Sequence, residues 1–362
     1  MSTMWTNTPI TKALDLLYPV IQGPFGGGVS STKLVAAVSN AGGLGSFGAN
    51  ALSPAQITEV VTDIRAKTSR PFAINLWVMT EAEPGLSAAT FEKVAGWFAP
   101  YYRELGLEAP KPPARFAQDY AAQIEALLEA KPPVASFVFG IPSKDILQAC
   151  RKRGIFTIGT ATTVEEAEAL EKAGLDAVVA TGLEAGGHRP SFLRSAEDSL
   201  TGTLALVPQV ADRVKIPVIA AGAIADGRGV VAALALGAQA VQIGTAFLGC
   251  AESGAPSVHR EMLFQPEARD TQLTRAFSGR LVRAIRNRFM DDMTKHAADL
   301  PPYPIQNWFS GSLRKAAIEQ GKADFLSLQA GQGAGLLKER TAQALMDKLV
   351  RETSAALNAI SR

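Results

Sequence analysis

The sequence predicts an α/β fold of the (β/α)8 barrel type, and three observations predict it. Short apolar runs recur eight times, at Val20–Gln22, Leu44–Ser46, Phe72–Leu76, Val134–Phe139, Phe156–Ile158, Ala177–Ala180, Val218–Ala220 and Ala240–Ile243. The runs are continuous rather than alternating, as strands are when both faces of a parallel sheet are covered. Most are separated by Ala/Leu-rich stretches, and this strand–helix order forces right-handed crossovers between parallel strands. Eight such units in roughly 250 residues have the size of a closed barrel. A doubly wound open sheet is the alternative with the same rhythm.

Helices are predicted at Ser31–Ala41, Pro54–Lys67, Lys144–Arg153, Val164–Ala173, Thr203–Val214 and Gly227–Leu236. Residues 81–133 are too many for the one helix a barrel needs there. They hold two helical patterns, Ala88–Leu105 and Arg115–Glu129, joined by a Pro-rich stretch ending at Pro113, and read as a helical insertion after strand 3. From Ala251 to Gln332 strand signals fade and charged helical sequence takes over, with a Pro-Pro-Tyr-Pro turn at 301–304. This predicts a C-terminal helical cap near the barrel mouth. Gly335–Ile360 is patterned as an amphipathic helix returning to the barrel. The expected organisation is a barrel of residues 1–250 and 333–362 and a substrate-side cap of residues 251–332.

Composition excludes several classes. With 47% hydrophobic and 19% charged residues over 362 positions, the chain is not disordered. A formal net charge of +2 leaves no footprint for nucleic acid or an anionic membrane. Residues 229–251 carry no charge and could span a bilayer. Gly237, Gln239, Gln242, Gly244 and Gly249 interrupt them, so a helix and then a buried strand are expected. Cys150 and Cys250 offer neither a disulfide framework nor metal-ligand spacing, so no metal is expected. They read as buried small hydrophobes in a reducing compartment. The polar segment Met1–Pro9 has no apolar signal core, and the cytoplasm is the expected location.

Barrel chemistry collects on the loops after the strands. The first strand leads into Gln22, Gly23, Pro24, Phe25 and three glycines, a loop suited to lie against a flat ligand. Asn75 ends the third run, and its amide can both donate and accept at the mixed edge of a ring such as a flavin. The sixth strand runs into Thr181, Gly182, Leu183, Glu184, Ala185, Gly186, Gly187 and His188. An imidazole exposed by glycines at a strand exit is where a proton acceptor belongs. His259 and His296 sit in polar helical sequence and are expected at the surface. After the seventh and eighth strands, Gly222, Gly244 and Thr245 form a candidate phosphate cup, aided by a helix N-terminus. Neither a GxxxxGK[ST] loop nor a GxGxxG after the first strand is present. A last Gly/Gln loop spans Leu328–Gly335 and could close over the pocket. Phe25, Trp77 and Phe247 are candidate apolar walls.

Together these stretches resemble the nitronate monooxygenase family, formerly the 2-nitropropane dioxygenases, from about Leu17 to Leu337. The resemblance rests on Pro-Val-Ile-Gln-Gly-Pro (19–24), Ala-Gly-Gly-Leu-Gly (41–45), Ile-Asn-Leu-Trp (74–77), Gly-Thr-Ala-Thr (159–162) and Glu-Ala-Gly-Gly-His-Arg (184–189). It also rests on Ala-Ala-Gly-Ala-Ile-Ala-Asp-Gly-Arg-Gly (220–229), Gln-Ile-Gly-Thr (242–245), Tyr-Pro-Ile-Gln-Asn (303–307) and Ala-Gly-Gln-Gly (330–333). The family implies FMN on a TIM barrel and oxidation of nitronates, with nitroalkanes as secondary candidate substrates, by O2 to carbonyl compounds and nitrite. It implies His188 as catalytic base and Asn75 as a flavin contact. Gln22, Gly23 and Pro24 would lie under the ring, with Thr181, Gly186 and Gly187 beside the cofactor. Gly222, Gly244 and Thr245 would hold the phosphate, Gln242 and Ile243 lead into that loop, and Gln332 belongs to the closing loop. Thr181 stands where relatives often have Gln, Ala223 where Gly is common, and Gln329 where Trp is frequent. Two rivals remain: an NADH-dependent FMN reductase acting on quinones or enoyl thioesters, and a non-catalytic flavin-binding barrel. Oligomeric state is not readable from the sequence.

Overall fold

Eight parallel strands form one sheet in the computed structural model, which describes residues 4–79, 83–108 and 110–360. In chain order the strands are β1 (Val20–Gln22), β2 (Gly45–Gly48), β3 (Phe72–Trp77), β4 (Val134–Val138), β5 (Phe156–Ala161), β6 (Ala177–Thr181), β7 (Gly187–His188), β8 (Val218–Ala221), β9 (Ala240–Ile243), β10 (Thr271–Thr274) and β11 (Val282–Ile285). The large sheet runs β1-β9-β8-β6-β5-β4-β3-β2. It closes where β1 meets the residue before β2: Gln22 N–H donates to Leu44 O at 2.9 Å, and Leu44 N–H to Val20 O at 2.9 Å. The closed barrel is therefore present, and the open sheet is not.

Ile21, Ile158, Val179 and Ile219 pack together in one apolar cluster, with Ala73, Ala177 and Ala240 filling between them. Their neighbours Val178, Val218 and Val241 join the cluster shared with the surrounding helices, as the two-residue period of a strand requires. Helix starts follow local chemistry. Ser53 caps Pro54–Lys67 with a capping box to Gln56 and a proline in the first turn. Thr163 caps Val164–Ala173, and Gly174 ends that helix at φ +92°.

The insertion divides its work. Helix Tyr120–Ala130 packs on Pro54–Lys67 as the barrel crossover. It starts later than predicted, because the Asp119 side chain accepts Ala122 N–H and sets the N-cap there. Helix Ala88–Glu104 turns to the cap instead: Tyr102 Oη donates to Phe309 O at 2.6 Å, and Phe98 stacks on Phe309.

The cap is not wholly helical, which corrects the expectation for 251–332. Helices Ser257–Met262, Arg288–Met293 and Ile305–Glu319 are present, but β10 and β11 form an antiparallel hairpin between them. β11 also pairs with β7, setting Val282 opposite His188. Strands this short draw their stability from pairing, and the hairpin is completed by β7, about ninety residues back in the chain, which no local pattern marks. The last helix, Ala342–Ile360, returns to pack on Gly227–Ala235 and Thr32–Asn40. It begins after Gly335, which lies in a 3-10 turn. The uncharged segment 229–251 splits into helix Gly227–Ala235, β9 and the short helix Thr245–Leu248. Among the described residues no helix is long and apolar enough to cross a membrane. Cys150 and Cys250 are buried and free.

Candidate active site

A cleft of about 1230 Å3, counted with its open mouth, lies among the loops that follow the barrel strands. It is lined by Gly23, Pro24, Asn75, Thr181, Gly186, Gly187, His188, Gly222, Gln242, Gly244 and Thr245, all singled out in the sequence. Three other candidates do not line it. Gln22 is fully buried, and its Oε1 accepts Ser46 N–H at 2.9 Å, so its side chain ties β1 to β2. Ile243 is fully buried in the core while its neighbours face the cleft, as alternation along a strand dictates. Gln332 is exposed and contributes its N–H, which donates to Glu184 O at 2.9 Å. Of the three aromatic candidates, Phe25 and Trp77 line the cleft, and Phe247 is buried away from it.

One side of the cleft is backbone. The N–H groups of Gly222, Ala223 and Gly244 find no protein acceptor among the described residues. Gly222 stands at φ +124°, and a Cβ there would lie 2.4 Å from Thr203 Oγ1, so only glycine fits. Thr203 is held in turn by Glu184, whose Oε2 accepts its hydroxyl at 2.9 Å. Ala223 carries φ +53°, a left-handed conformation that costs a non-glycine residue on the order of 1 kcal/mol. The helix N-terminus after β8 is already used: Asp226 Oδ1 accepts the N–H groups of Arg228 and Gly229 at 3.0 and 3.2 Å. The first turn of that helix is therefore capped from within the chain, and the N–H groups without a protein acceptor are those of the loops after β8 and β9.

Asn75 sits between the two sides. Its Nδ2 donates to Ser136 O at 3.2 Å and to Ser136 Oγ at 3.0 Å. The amide is thus held against Ser136, and Asn75 lines the cleft.

The other side is aromatic, with two guanidiniums behind it that do not line the cleft. His188 lies on β7, its ring edge-on to Trp77 at 5.1 Å between centroids and 6.2 Å from Phe139. Its Nε2 is 2.8 Å from Ser278 Oγ, which also lies 3.2 Å from Arg280 O. The Arg280 guanidinium sits 3.8 Å over the Phe139 ring and 4.9 Å over Tyr303. Arg314 is anchored by Asn307, whose Oδ1 accepts from its Nη2 at 2.8 Å. Enclosure of the ring, and then the charges of Arg280 and Arg314, push the His188 pKa down to about 3. The imidazole is therefore neutral across the physiological range. Among the described residues no acid, lysine or arginine lines the cleft. Ser278, Arg280 and Arg314 were not singled out from the sequence, where they sit in helical or turn surroundings about ninety residues or more from the imidazole they serve.

Arg189, beside His188, is buried and ties its own loop down. Its Nη1 donates to Thr181 O at 3.0 Å and Gly182 O at 2.7 Å, and its Nη2 to Ser199 O at 2.9 Å. The other histidines differ from each other. His296 is partly exposed and stacks on Trp97 at 4.2 Å. His259, expected at the surface, is buried, with Nε2 3.1 Å from Gln329 O.

The barrel and its cleft define an α/β-barrel enzyme whose cleft is lined both by loop residues with free backbone N–H groups and by an imidazole. Comparison with known proteins narrows this further: the profile of the nitronate monooxygenase family matches residues 7–352, and the chain belongs to that family of flavin-dependent oxidoreductases. A probable nitronate monooxygenase of Staphylococcus aureus (strain Newman) is 41% identical over 350 residues, covering 96% of this chain and 98% of the relative. The crystal structure of nitroalkane oxidase from Streptomyces ansochromogenes superposes with a TM-score of 0.89 at 39% identity, covering 97% of this chain and 99% of that one. FabK from Thermotoga maritima superposes with a TM-score of 0.76 at 29% identity, covering 98% of both chains.

Proposed function

We propose that this protein is an FMN-dependent nitronate monooxygenase that oxidises alkyl nitronates with O2 to carbonyl compounds and nitrite. Overall, two nitronate anions and one O2 yield two carbonyl compounds and two nitrites, which balances oxygen and charge. The flavin supplies the redox chemistry, and the protein binds and orients. The residues present fit a phosphomonoester flavin. The unsatisfied N–H groups of Gly222, Ala223 and Gly244 would hold the phosphate, with Thr245 beside them, and no carboxylate among the lining residues opposes it. Asn75 would accept from the ring edge, Gly23 and Pro24 would lie against the ring, and Thr181, Gly186, Gly187 and Gln242 would border it.

The observation that carries the reading is geometric: His188 lines the same cleft as Gly222, Ala223 and Gly244 with their free N–H groups, and the Arg280 guanidinium lies behind its aromatic neighbours. With its pKa lowered, His188 removes protons from a neutral nitroalkane poorly. Its cationic surroundings favour a substrate that arrives already as the nitronate anion. Neutral nitroalkanes are then slow substrates, with His188 as acceptor of the α-proton. Segment 251–332 would be the substrate-side subdomain, since it contributes Ser278, Arg280, Tyr303 and Arg314 around the imidazole. The working location is the cytoplasm.

Anaerobic mixing with a nitronate tests the assignment. Loss of the visible flavin absorbance is expected with nitronate and not with NADH. Rapid bleaching by NADH instead would favour a flavin reductase acting on quinones or enoyl thioesters.

A further inference from the structure

We infer that His259 is the positioning residue of the loop that closes the cleft, acting through the carbonyl of Gln329 to set how tightly the flavin is held. The inference rests on the flavin reading above. Gln329, Gly331 and Gly333 line the cleft, yet 329–333 forms no strand or helix beyond a single bridge to Ala284. The loop keeps its place through four separate neighbours. Gly331 N–H donates to Thr245 Oγ1 at 2.9 Å, on the cradle side. Gln332 N–H donates to Glu184 O at 2.9 Å, on the strand-6 loop that leads to His188. Ala330 N–H reaches Arg283 O at 3.4 Å, on β11. The fourth is His259 at Gln329 O, 3.1 Å away.

The loop has little slack. A Cβ on Gly186 would lie 2.4 Å from Gly331 N, and one on Gly333 would lie 2.7 Å from Ala223 O. A shift at Gln329 is therefore felt at both ends of the cleft. A carbonyl oxygen carries no proton, so the His259 ring must donate, which fixes the Nε2–H form. His259 itself is buried and does not line the cleft, so it acts through the loop and not on the reacting atoms. Removing it would leave a carbonyl acceptor unpaired at the one loop that bridges cradle and imidazole.

The test uses purified protein freed of flavin and retitrated with FMN, reading flavin fluorescence for the dissociation constant and thermal unfolding of the flavin-free form. His259→Leu should weaken FMN roughly five- to hundredfold. His259→Gln, which keeps a donor, should recover most of that loss, while the unfolding midpoints of the two flavin-free variants agree. If His259→Leu does not fold, His259→Met takes its place against His259→Gln. Equal FMN affinity in the Leu variant and wild type overturns the inference. So do Gln and Leu variants equally weak in proportion to their lost stability. Wild-type protein that takes up no FMN overturns the flavin reading itself.

Discussion

The two sides of the cleft are built by different means. The cradle side is backbone, drawn from short loops directly after β8 and β9, within a few residues of the strands that position them. The imidazole side is assembled from side chains of remote segments: Trp77 at the end of β3, Phe139 after β4, His188 on β7, Ser278 and Arg280 in the hairpin turn, and Tyr303 and Arg314 around the last cap helix. The difference teaches which half of such a site tolerates change. A backbone cradle asks for small residues and correct dihedrals, which the barrel supplies. The aromatic and cationic half depends on the cap staying docked.

The largest break in this comparison is expected from His188→Asn. It should lower kcat/KM for a neutral nitroalkane by about 10²–10⁴ and for the corresponding nitronate by much less, measured as oxygen uptake with each substrate. Equal losses would mean that the ring serves packing and not proton transfer. The same variant bears on stability. Folded His188 has its pKa lowered from 6.5 to about 3, so the unfolded chain binds more protons between those values. Stability should therefore fall as pH drops from 6.5 toward 3, and His188→Asn should flatten that slope in urea titrations.

On the cradle side, Gly222→Ala forces a Cβ against Thr203 Oγ1 at a left-handed position. A cost of about 1–3 kcal/mol is expected, with weaker FMN retention and little change in the pH dependence set by His188. Urea midpoints and flavin titration would show whether the two sides separate as described. The smallest effect belongs to Ala223→Gly. Relief of the φ +53° conformation should outweigh the added chain entropy by less than about 1 kcal/mol, leaving the midpoint equal or slightly raised. A clear destabilisation would show that the Ala223 methyl packs usefully.

The sequence by itself determined the barrel. Each continuous apolar run became a strand, because a run buried on both faces needs no distant partner to be recognised. It also marked the cradle and His188, since glycines at strand ends and a lone imidazole are local signals. It could not separate Gln242 from Ile243, because adjacent positions on a strand face opposite ways and only the closed barrel decides which faces the cleft. Nor could it show that Asp226 caps the helix after β8. Tertiary structure alone decided the β10–β11 hairpin, the burial of His259, and the meeting of Ser278, Arg280 and Arg314 with His188. The β11–β7 pairing and the contacts at His188 join segments about ninety residues or more apart in the chain, and the His259 contact seventy, and the energy of these polar contacts exists only once packing removes water from the groups involved.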